Sequence, residues 1–437
     1  MGRYFGTDGF RGEVNRVLTA SHAFRIGRFL GSRARRVAIG KDTRRSSSML
    51  ECALAAGVAA SGGDVALLGV IPTPGVAFVT RAGGYGCGVV ISASHNAFED
   101  NGIKLFDSNG SKPADDVVAE LERYLDGEAE LPYAVCDGIG VVTESREAAE
   151  YEAALRALLG ADCKGKRIGL DCANGATYTI APRLFRSLGA EVVAIHDRPD
   201  GMNVNRACGS THIDALRQVV KAQGLDAGFA FDGDGDRCIA VDERGGVLDG
   251  DAILYILARY MHSRGTLTRD TVVTTVMSNL GLQHALARVG IRCEQTAVGD
   301  RYVAERMAQE GYALGGEQAG HIIFGDRPGD GILTALLLTE RLCESGRLST
   351  LTDGLVRYPQ VLRNLHVRDR AATMADGAVA AAIEEARAAL GDSGRILVRA
   401  SGTEQVVRVM VEGEDRARCQ ALCDRVCAVI GERGLSV

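Results

Sequence analysis

Three stretches of this chain repeat one grammar: a short apolar strand, a polar loop, an amphipathic helix, and a second strand entered after glycine. The first runs from Val37-Ala38-Ile39-Gly40, through a helix capped at Ser46, to Val65-Ala66-Leu67-Leu68. The second runs from Ile168-Gly169-Leu170-Asp171, through Ala181–Leu188, to Glu191-Val192-Val193. The third runs from Val272-Val273-Thr274-Thr275, through Leu280–Val289, to Ile291-Arg292-Cys293. Parallel strands need a long crossover, so strand, helix and strand at this spacing predict parallel βαβ units. The letters of the three units barely match, so the repetition is one of structure. With 437 residues the chain is too long for one core and should divide into several domains.

The breaks fall between the units. Gly127 to Gly140 is irregular, Ser145 to Leu159 reads as a connecting helix, and another helix opens near Asp249-Gly250-Asp251. Past Tyr358-Pro359 the pattern changes to a helix over Ala375–Leu390, two strands around Ala400–Glu404 and a last helix over Arg416–Ile430. The expected fold class is α/β: three consecutive α/β domains at 1–140, 150–247 and 248–357 with mixed or parallel sheets, then a smaller α+β, lid-like domain at 358–437.

A formal net charge of −6 argues against a nucleic-acid partner, which needs a basic face. No apolar run approaches a membrane span, and Met1 to Phe10 has no signal-peptide core, so a cytoplasmic protein with no membrane partner is expected. The 12 cysteines include no CxxC pair and are read as reduced thiols. Cys419, Cys423 and Cys427 share one helix face, a spacing that suits core packing better than metal ligation.

Chemistry concentrates first in Asp232-Gly233-Asp234-Gly235-Asp236-Arg237. Like charges packed this tightly repel unless a hard cation offsets them, and carboxylate oxygens are the ligands Mg²⁺ prefers. The glycines let the backbone turn sharply enough for alternate side chains to converge. With Glu243 the three aspartates also match an EF-hand calcium loop, but Arg237 stands where that loop needs glycine. The flanking Phe229-Ala230-Phe231 and Ile239-Ala240-Val241 read as strands, which favours a strand-loop-strand Mg²⁺ site over an EF-hand or a plain acidic turn.

Val89-Val90-Ile91 ends abruptly in Ser92-Ala93-Ser94-His95-Asn96, and strand ends are where α/β sites are built. In an extended backbone the adjacent side chains of Ser94 and His95 diverge, which argues against a Ser–His pair. No G-x-S-x-G elbow is present either. A serine there can instead carry a phosphoryl group, or it can simply cap a turn. Gly315-Gly316-Glu317-Gln318-Ala319-Gly320-His321 offers hydrogen-bonding groups suited to sugar hydroxyls, or is a plain turn. Arg399-Ala400-Ser401-Gly402-Thr403-Glu404, with Arg408 on the next strand, has the makings of an anion nest, or of a hairpin with solvated charges. Phe5 to Gly12 and Gly40-Lys41-Asp42-Thr43-Arg44 are weaker signals: glycine turns with one or two cations. Gly160 to Lys166 mimics a P-loop, but Arg167 replaces the Mg²⁺-ligating hydroxyl and the segment precedes its strand.

Taken in order, FGTDGFRG, ISASHN…DNGIK, DGDGDR, TAVGDRYV, GGEQAGHI and RASGTE resemble the α-D-phosphohexomutase superfamily over essentially the whole chain. The resemblance implies four domains around a central cleft and a phosphoserine at Ser94. It implies Mg²⁺ held by that phosphoserine with Asp232, Asp234 and Asp236, and acid–base groups at Lys104 and His321. It extends the catalytic set to His95 and Arg11 and the sugar-phosphate contacts to Glu317, Gln318 and Arg301. Arg399, Ser401, Gly402, Thr403 and Arg408 match its distal phosphate clamp. Gln318, the opening motif and the glycine after Ser401 favour the branch that acts on glucosamine phosphates, with a hexose 1,6-bisphosphate as intermediate and activator. That branch feeds amino-sugar and cell-wall precursor synthesis. Five departures stand out: Ala97 and Glu99 in place of proline and tyrosine, Ala319 in place of serine, and Ala400 and Gln405 in place of prolines. The expected partner is a small phosphosugar, with the chain a monomer or homodimer. A sibling acting on mannose or glucose phosphates, a metal-dependent phosphatase and a non-catalytic phosphosugar-binding protein are the alternatives.

Overall fold

The computed structural model describes residues 3–6, 8–159, 162–401 and 405–436. The chain forms two compact units, one of residues 1–277 with 291–353 and the other of 278–290 with 354–437.

The first unit holds three sheets. Its six-stranded sheet runs, in spatial order, Phe10–Glu13, Asp100–Asp107, Cys87–Ile91, Arg36–Lys41, Asp64–Val70 and Val142–Glu144. Arg36–Lys41 pairs in parallel with both Cys87–Ile91 and Asp64–Val70, as the first βαβ unit predicts. Val37, Ile39, Val89 and Ile91 are fully buried, the expected consequence of a parallel sheet covered on both faces. The covering helices Ala20–Gly31 and Ser47–Ala60 approach closely enough that a Cβ on Gly27 would meet Leu54 O at 2.1 Å.

Two features differ from the sequence reading. Ser46 sits at the N-cap of its helix without a capping bond, because its Oγ accepts instead from Asn101 Nδ2 at 2.9 Å. Asp100–Asp107, with its polar and glycine-broken start, is a strand antiparallel to Cys87–Ile91, and it turns Lys104 into the protein.

The five-stranded sheet runs Val247–Leu248, Cys238–Asp242, Ala227–Phe231, Arg167–Asp171, Glu191–Ile195. Arg167–Asp171 is parallel to Glu191–Ile195, and Ala227–Phe231 forms an antiparallel hairpin with Cys238–Asp242. The four-stranded sheet runs Arg292–Thr296, Thr271–Thr275, Leu314–Gly316, Ile322–Phe324, its first pair parallel.

The three sheets of this unit meet at the hairpin loop 232–237. Thr73 N–H donates to Asp234 O at 2.9 Å, Cys238 N–H to Gly320 O at 3.0 Å, and Gly331 N–H to Gly235 O at 3.0 Å. The hairpin is thereby fixed by backbone from the first turns of the helices Thr73–Ala82 and Gly331–Ser345 and from the turn at Gly320.

In the second unit an antiparallel sheet of Gln360–His366, Val406–Gly413 and Gly394–Ala400 is covered by the helices Gly377–Leu390 and Arg416–Glu432. Cys419 and Cys423 are buried in that core and Cys427 packs at its edge, so the cysteine stripe is a packing face. Among the described residues no helix is long and apolar enough to cross a membrane.

Candidate active site

Ser94 follows the strand Cys87–Ile91 and is almost wholly buried, in a left-handed conformation with φ of 52°. Its N–H donates to Ser92 Oγ at 2.9 Å and its Oγ donates to Asp232 Oδ2 at 2.7 Å. The turn corrects one expectation from sequence. Because the backbone is not extended, His95 Nδ1 swings to 3.3 Å from Ser94 Oγ. Burial, with Arg237 and Arg11 adding to it, pushes the His95 imidazole down to about 4, so it is neutral at pH 7.

Asp232, Asp234 and Asp236 lie in the loop between Ala227–Phe231 and Cys238–Asp242, where Phe231 and Cys238 are register partners. Each is buried, and one oxygen from each lies within 4.8 Å of the others. Burial first, then Asp236 and Asp234, raises Asp232 well above the usual carboxylate range. Burial opposes ionisation of Asp236 too, but Lys104 and His321 hold it well below that range. Asp234 Oδ1 and Asp236 Oδ1 are buried with no hydrogen-bond partner among the described residues. Orphaned carboxylate oxygens are costly, and an all-oxygen cluster with spare acceptors fits a hard divalent cation. Glu243, the twelfth residue of the EF-hand alternative, is turned elsewhere and accepts from Ser349 Oγ at 2.5 Å.

The cations come from three other segments. Lys104 Nζ lies 2.7 Å from Asp234 Oδ2, 3.1 Å from Asp236 Oδ2 and 3.0 Å from Asp8 Oδ2. Burial disfavours its charge, but those carboxylates outweigh it and hold Lys104 well above its ordinary value. His321 Nδ1 lies 3.7 Å from Asp236 Oδ1 and Nε2 lies 3.8 Å from Asp300 Oδ2. Burial again opposes protonation, and Asp236 overcomes it, raising His321 to about 9. Arg11, on the strand Phe10–Glu13, bonds to Asp8.

The remaining sequence candidates are less uniform. Glu317 Oε1 accepts from Gly299 N–H at 3.1 Å, and its charge acts on both Arg237 and His321. Gln318 is turned away to Asp251 Oδ2, to which its Nε2 donates at 3.1 Å. Arg301 is paired with Asp115 at 2.7 Å and Glu305 at 2.6 Å, on the wall of a cavity of about 490 Å³ that Asp8 and Lys104 also line. In the second unit Arg399 and Arg408 are direct register partners on neighbouring strands. Ser401, buried at the end of the first of these, donates its N–H to Val406 O at 2.9 Å. Gly402 and Thr403 lie outside the described residues.

Residues not singled out from sequence complete the cluster. Asp8 and Asp300 sit inside motifs already recognised, FGTDGFRG and TAVGDRYV, yet a motif does not say which member points inward. Lys112 Nζ joins them, 2.7 Å from Asp300 Oδ2 and 3.3 Å from Asp8 Oδ1. Thr73 Oγ1 donates to Asp234 Oδ2 at 2.5 Å, and nothing local in its sequence marks it.

A buried serine facing three carboxylates and several cations, on successive α/β sheets, is an arrangement for handling phosphate. Comparison with known families agrees with that class. The four phosphoglucomutase/phosphomannomutase domains match in order: alpha/beta/alpha domain I over residues 2–131, domain II over 150–246, domain III over 249–358 and the C-terminal domain over 362–429. The chain belongs to the phosphoglucomutase/phosphomannomutase family. It is 50% identical to the phosphoglucosamine mutase of Lachnospira eligens over 100% of both chains. It is 48% identical to that of Oceanobacillus iheyensis over 98% of this chain and 99% of the other. A phosphoglucomutase/phosphomannomutase family protein of Burkholderia thailandensis superposes with a TM-score of 0.82 at 25% identity, covering 99% and 98% of the two chains. The N-acetylphosphoglucosamine mutase of Aspergillus fumigatus, solved with GlcNAc-6P and magnesium, shares the fold with a TM-score of 0.65 at 19% identity, covering 99% and 96%.

Proposed function

We propose that this chain is an isomerase that interconverts glucosamine 6-phosphate and glucosamine 1-phosphate through a phosphoserine at Ser94 and a bisphosphate intermediate. The full-length identity of about half to phosphoglucosamine mutases supports the substrate. The observation that carries the chemistry is the 2.7 Å hydrogen bond from Ser94 Oγ to Asp232 Oδ2, which sets a buried hydroxyl against the acidic cluster.

In the first transfer the bond from phosphorus to Ser94 Oγ breaks and a bond from phosphorus to the free sugar hydroxyl oxygen forms. The hydroxyl proton passes to a group on the sugar side, and Ser94 Oγ takes up a proton. After the bisphosphate turns round, Ser94 Oγ attacks its other phosphorus, and the departing sugar oxygen recovers a proton. In the half-reaction that returns a phosphoryl group to Ser94, the group on the sugar side must carry a proton to give to the departing oxygen. Lys104 and His321 are both held protonated, which supports assigning them that role. Asp232 accepts the hydrogen bond that orients the Ser94 hydroxyl, and neutral His95 stands beside it as a group able to take the Oγ proton. Arg11 is assigned to the phosphate-facing charge, Glu317 and Arg301 to the sugar phosphate, and Arg399, Ser401 and Arg408 to its distal phosphate, while Gln318, held by Asp251, is given no substrate contact.

Asp232, Asp234 and Asp236, with phosphorylated Ser94, would hold Mg²⁺, which supplies positive charge to offset that on the transferring phosphoryl oxygens. The test is phosphorus NMR of the protein with Mg²⁺, a catalytic amount of hexose bisphosphate, and glucosamine 1-phosphate. Glucosamine 6-phosphate should appear, and should fail to appear with Ser94→Ala. Conversion of only mannose or glucose phosphates would reassign the substrate, and release of free phosphate alone would reassign the reaction.

A further inference from the structure

The weak motif Gly40-Lys41-Asp42-Thr43-Arg44 contains a side chain that none of the chemistry above uses. Arg44 and Asp42 are an ion pair with both side chains completely buried, the Nε of Arg44 lying 2.7 Å from Asp42 Oδ2. A guanidinium offers five N–H donors in a fixed plane. Nε serves Asp42; Nη2 donates to Ser94 O and Asn96 O, both at 2.9 Å; Nη1 donates to Asp100 O at 3.0 Å and to Ala97 O. Every donor is used, and four of the acceptors are backbone carbonyls of the loop that carries Ser94.

Asp42 reaches the same loop by a second route. Its Oδ2 accepts from Ser92 Oγ at 2.6 Å, and Ser92 Oγ accepts from Ser94 N–H at 2.9 Å. From the second sheet's side, Asn205 Nδ2 donates to Ser94 O at 2.7 Å and to Asn96 O at 3.0 Å. Asn205 is itself held in a left-handed conformation with φ of 55°. Its N–H donates to Ala173 O at 2.9 Å, and Asp171 Oδ1 fixes the Ala173 N–H at 2.9 Å. Left-handed backbone at non-glycine residues is costly and persists only where surrounding bonds over-determine it.

We infer that Arg44, buried with Asp42, and Asn205 are positioning residues that hold the Ser94 loop in its left-handed turn and draw its carbonyl oxygens away from the phosphoryl group. This rests on the reading of Ser94 as the phosphoryl carrier. Carbonyl oxygens left facing a phosphate would repel it, so gathering those of Ser94, Asn96, Ala97 and Asp100 onto one guanidinium and one amide leaves Oγ as the group presented to Asp232. A lysine cannot reproduce the fan, because its three donors radiate from a single atom.

The test compares Arg44→Lys and Asn205→Ala with the wild type by steady-state kinetics and by amide hydrogen exchange over residues 92–101. Misplacing a reacting group by about 1 Å costs on the order of 10²-fold. We expect kcat to fall about 10²-fold in Arg44→Lys and about tenfold in Asn205→Ala, with KM for the sugar phosphate changed less than about threefold and exchange accelerated in the loop. Unchanged kcat and exchange in folded variants would overturn the inference, as would a rise in KM with kcat intact, which would indicate a substrate contact. If the wild type itself converts no sugar phosphate, the functional reading fails, and loop exchange alone decides the clamp: acceleration upholds it and unchanged exchange rejects it. If Arg44→Lys does not fold, Asn205→Ala decides by the same readouts.

Discussion

Ser94 Oγ and Asp232 Oδ2 lie 2.7 Å apart, although 138 residues separate them in the chain. The bond joins the loop after one sheet to the hairpin of the next, and it orients the hydroxyl toward the acidic cluster. Replacing Ser94 with alanine removes the proposed nucleophile without disturbing the carboxylates. Turnover should fall by at least about 10⁴-fold while the melting temperature barely moves. Conversion measured by phosphorus NMR checks this, and near-wild-type activity in Ser94→Ala would remove the phosphoserine from the mechanism.

Asp234 spends one oxygen on Thr73 and Lys104 and keeps the other buried with no hydrogen-bond partner among the described residues. Asp234→Asn deletes one charge of the triad and one of the oxygens proposed to hold Mg²⁺. Mg²⁺ affinity should fall more than about tenfold, and the thermal stabilisation that Mg²⁺ confers on the wild type should shrink with it. Titration calorimetry and melting with and without Mg²⁺ measure both. Equal Mg²⁺ responses in wild type and variant would place the cation elsewhere.

Arg399 and Arg408 face each other across neighbouring strands of the second unit. Burial first, then Arg408, lowers Arg399 from its ordinary value. Like charges directly opposite on a sheet are destabilising, and a bound anion offsets such a pair. Inorganic phosphate should therefore raise the melting temperature of the wild type more than that of Arg408→Met. The same variant should raise KM for the sugar phosphate at least about tenfold. A phosphate response that survives in Arg408→Met would argue against the clamp.

Asp330 caps the helix Gly331–Ser345 through Leu333 N–H at 2.9 Å and accepts from Tyr151 Oη at 2.9 Å. Burial pushes its carboxyl up to about 6, against the pull of those hydrogen bonds. The folded state then binds this proton more tightly than the unfolded chain does. Stability should fall as pH rises from the ordinary value of 3.8 through about 6, by about 3 kcal/mol for this group. Asp330→Asn keeps the cap oxygen and cannot titrate. Chemical denaturation across that window should show the wild type losing stability relative to the variant as pH increases, and parallel curves would show that Asp330 is not the source.

Much of the fold was legible because it is written in short-range periodicity. The strands Arg36–Lys41, Arg167–Asp171 and Thr271–Thr275 announce themselves as buried apolar runs, and the helices that follow them as amphipathic faces. The strand Asp100–Asp107 was not legible, because Asp100, Asn101 and Gly102 disfavour strand and only pairing with Cys87–Ile91 and Phe10–Glu13 overrides them.

The acidic triad could be chosen from residue types alone, whereas the serine before histidine and the glycine-rich loop 315–321 left a plain turn open and gained their reading only from the order of the motifs along the chain. Sequence by itself therefore determined the α/β units and the kind of chemistry the chain carries. The tertiary structure decided which side chains share the site and in what state. It bent Ser94 into the left-handed turn that brings His95 to it, buried Lys104 among three carboxylates, and turned Gln318 aside to Asp251. It also assembled Arg44, Asn205 and Ser94 from segments more than 100 residues apart at their widest. The physical reason is range: propensity and periodicity act over a few residues, whereas burial, hydrogen-bond satisfaction and charge balance are settled only where distant segments meet.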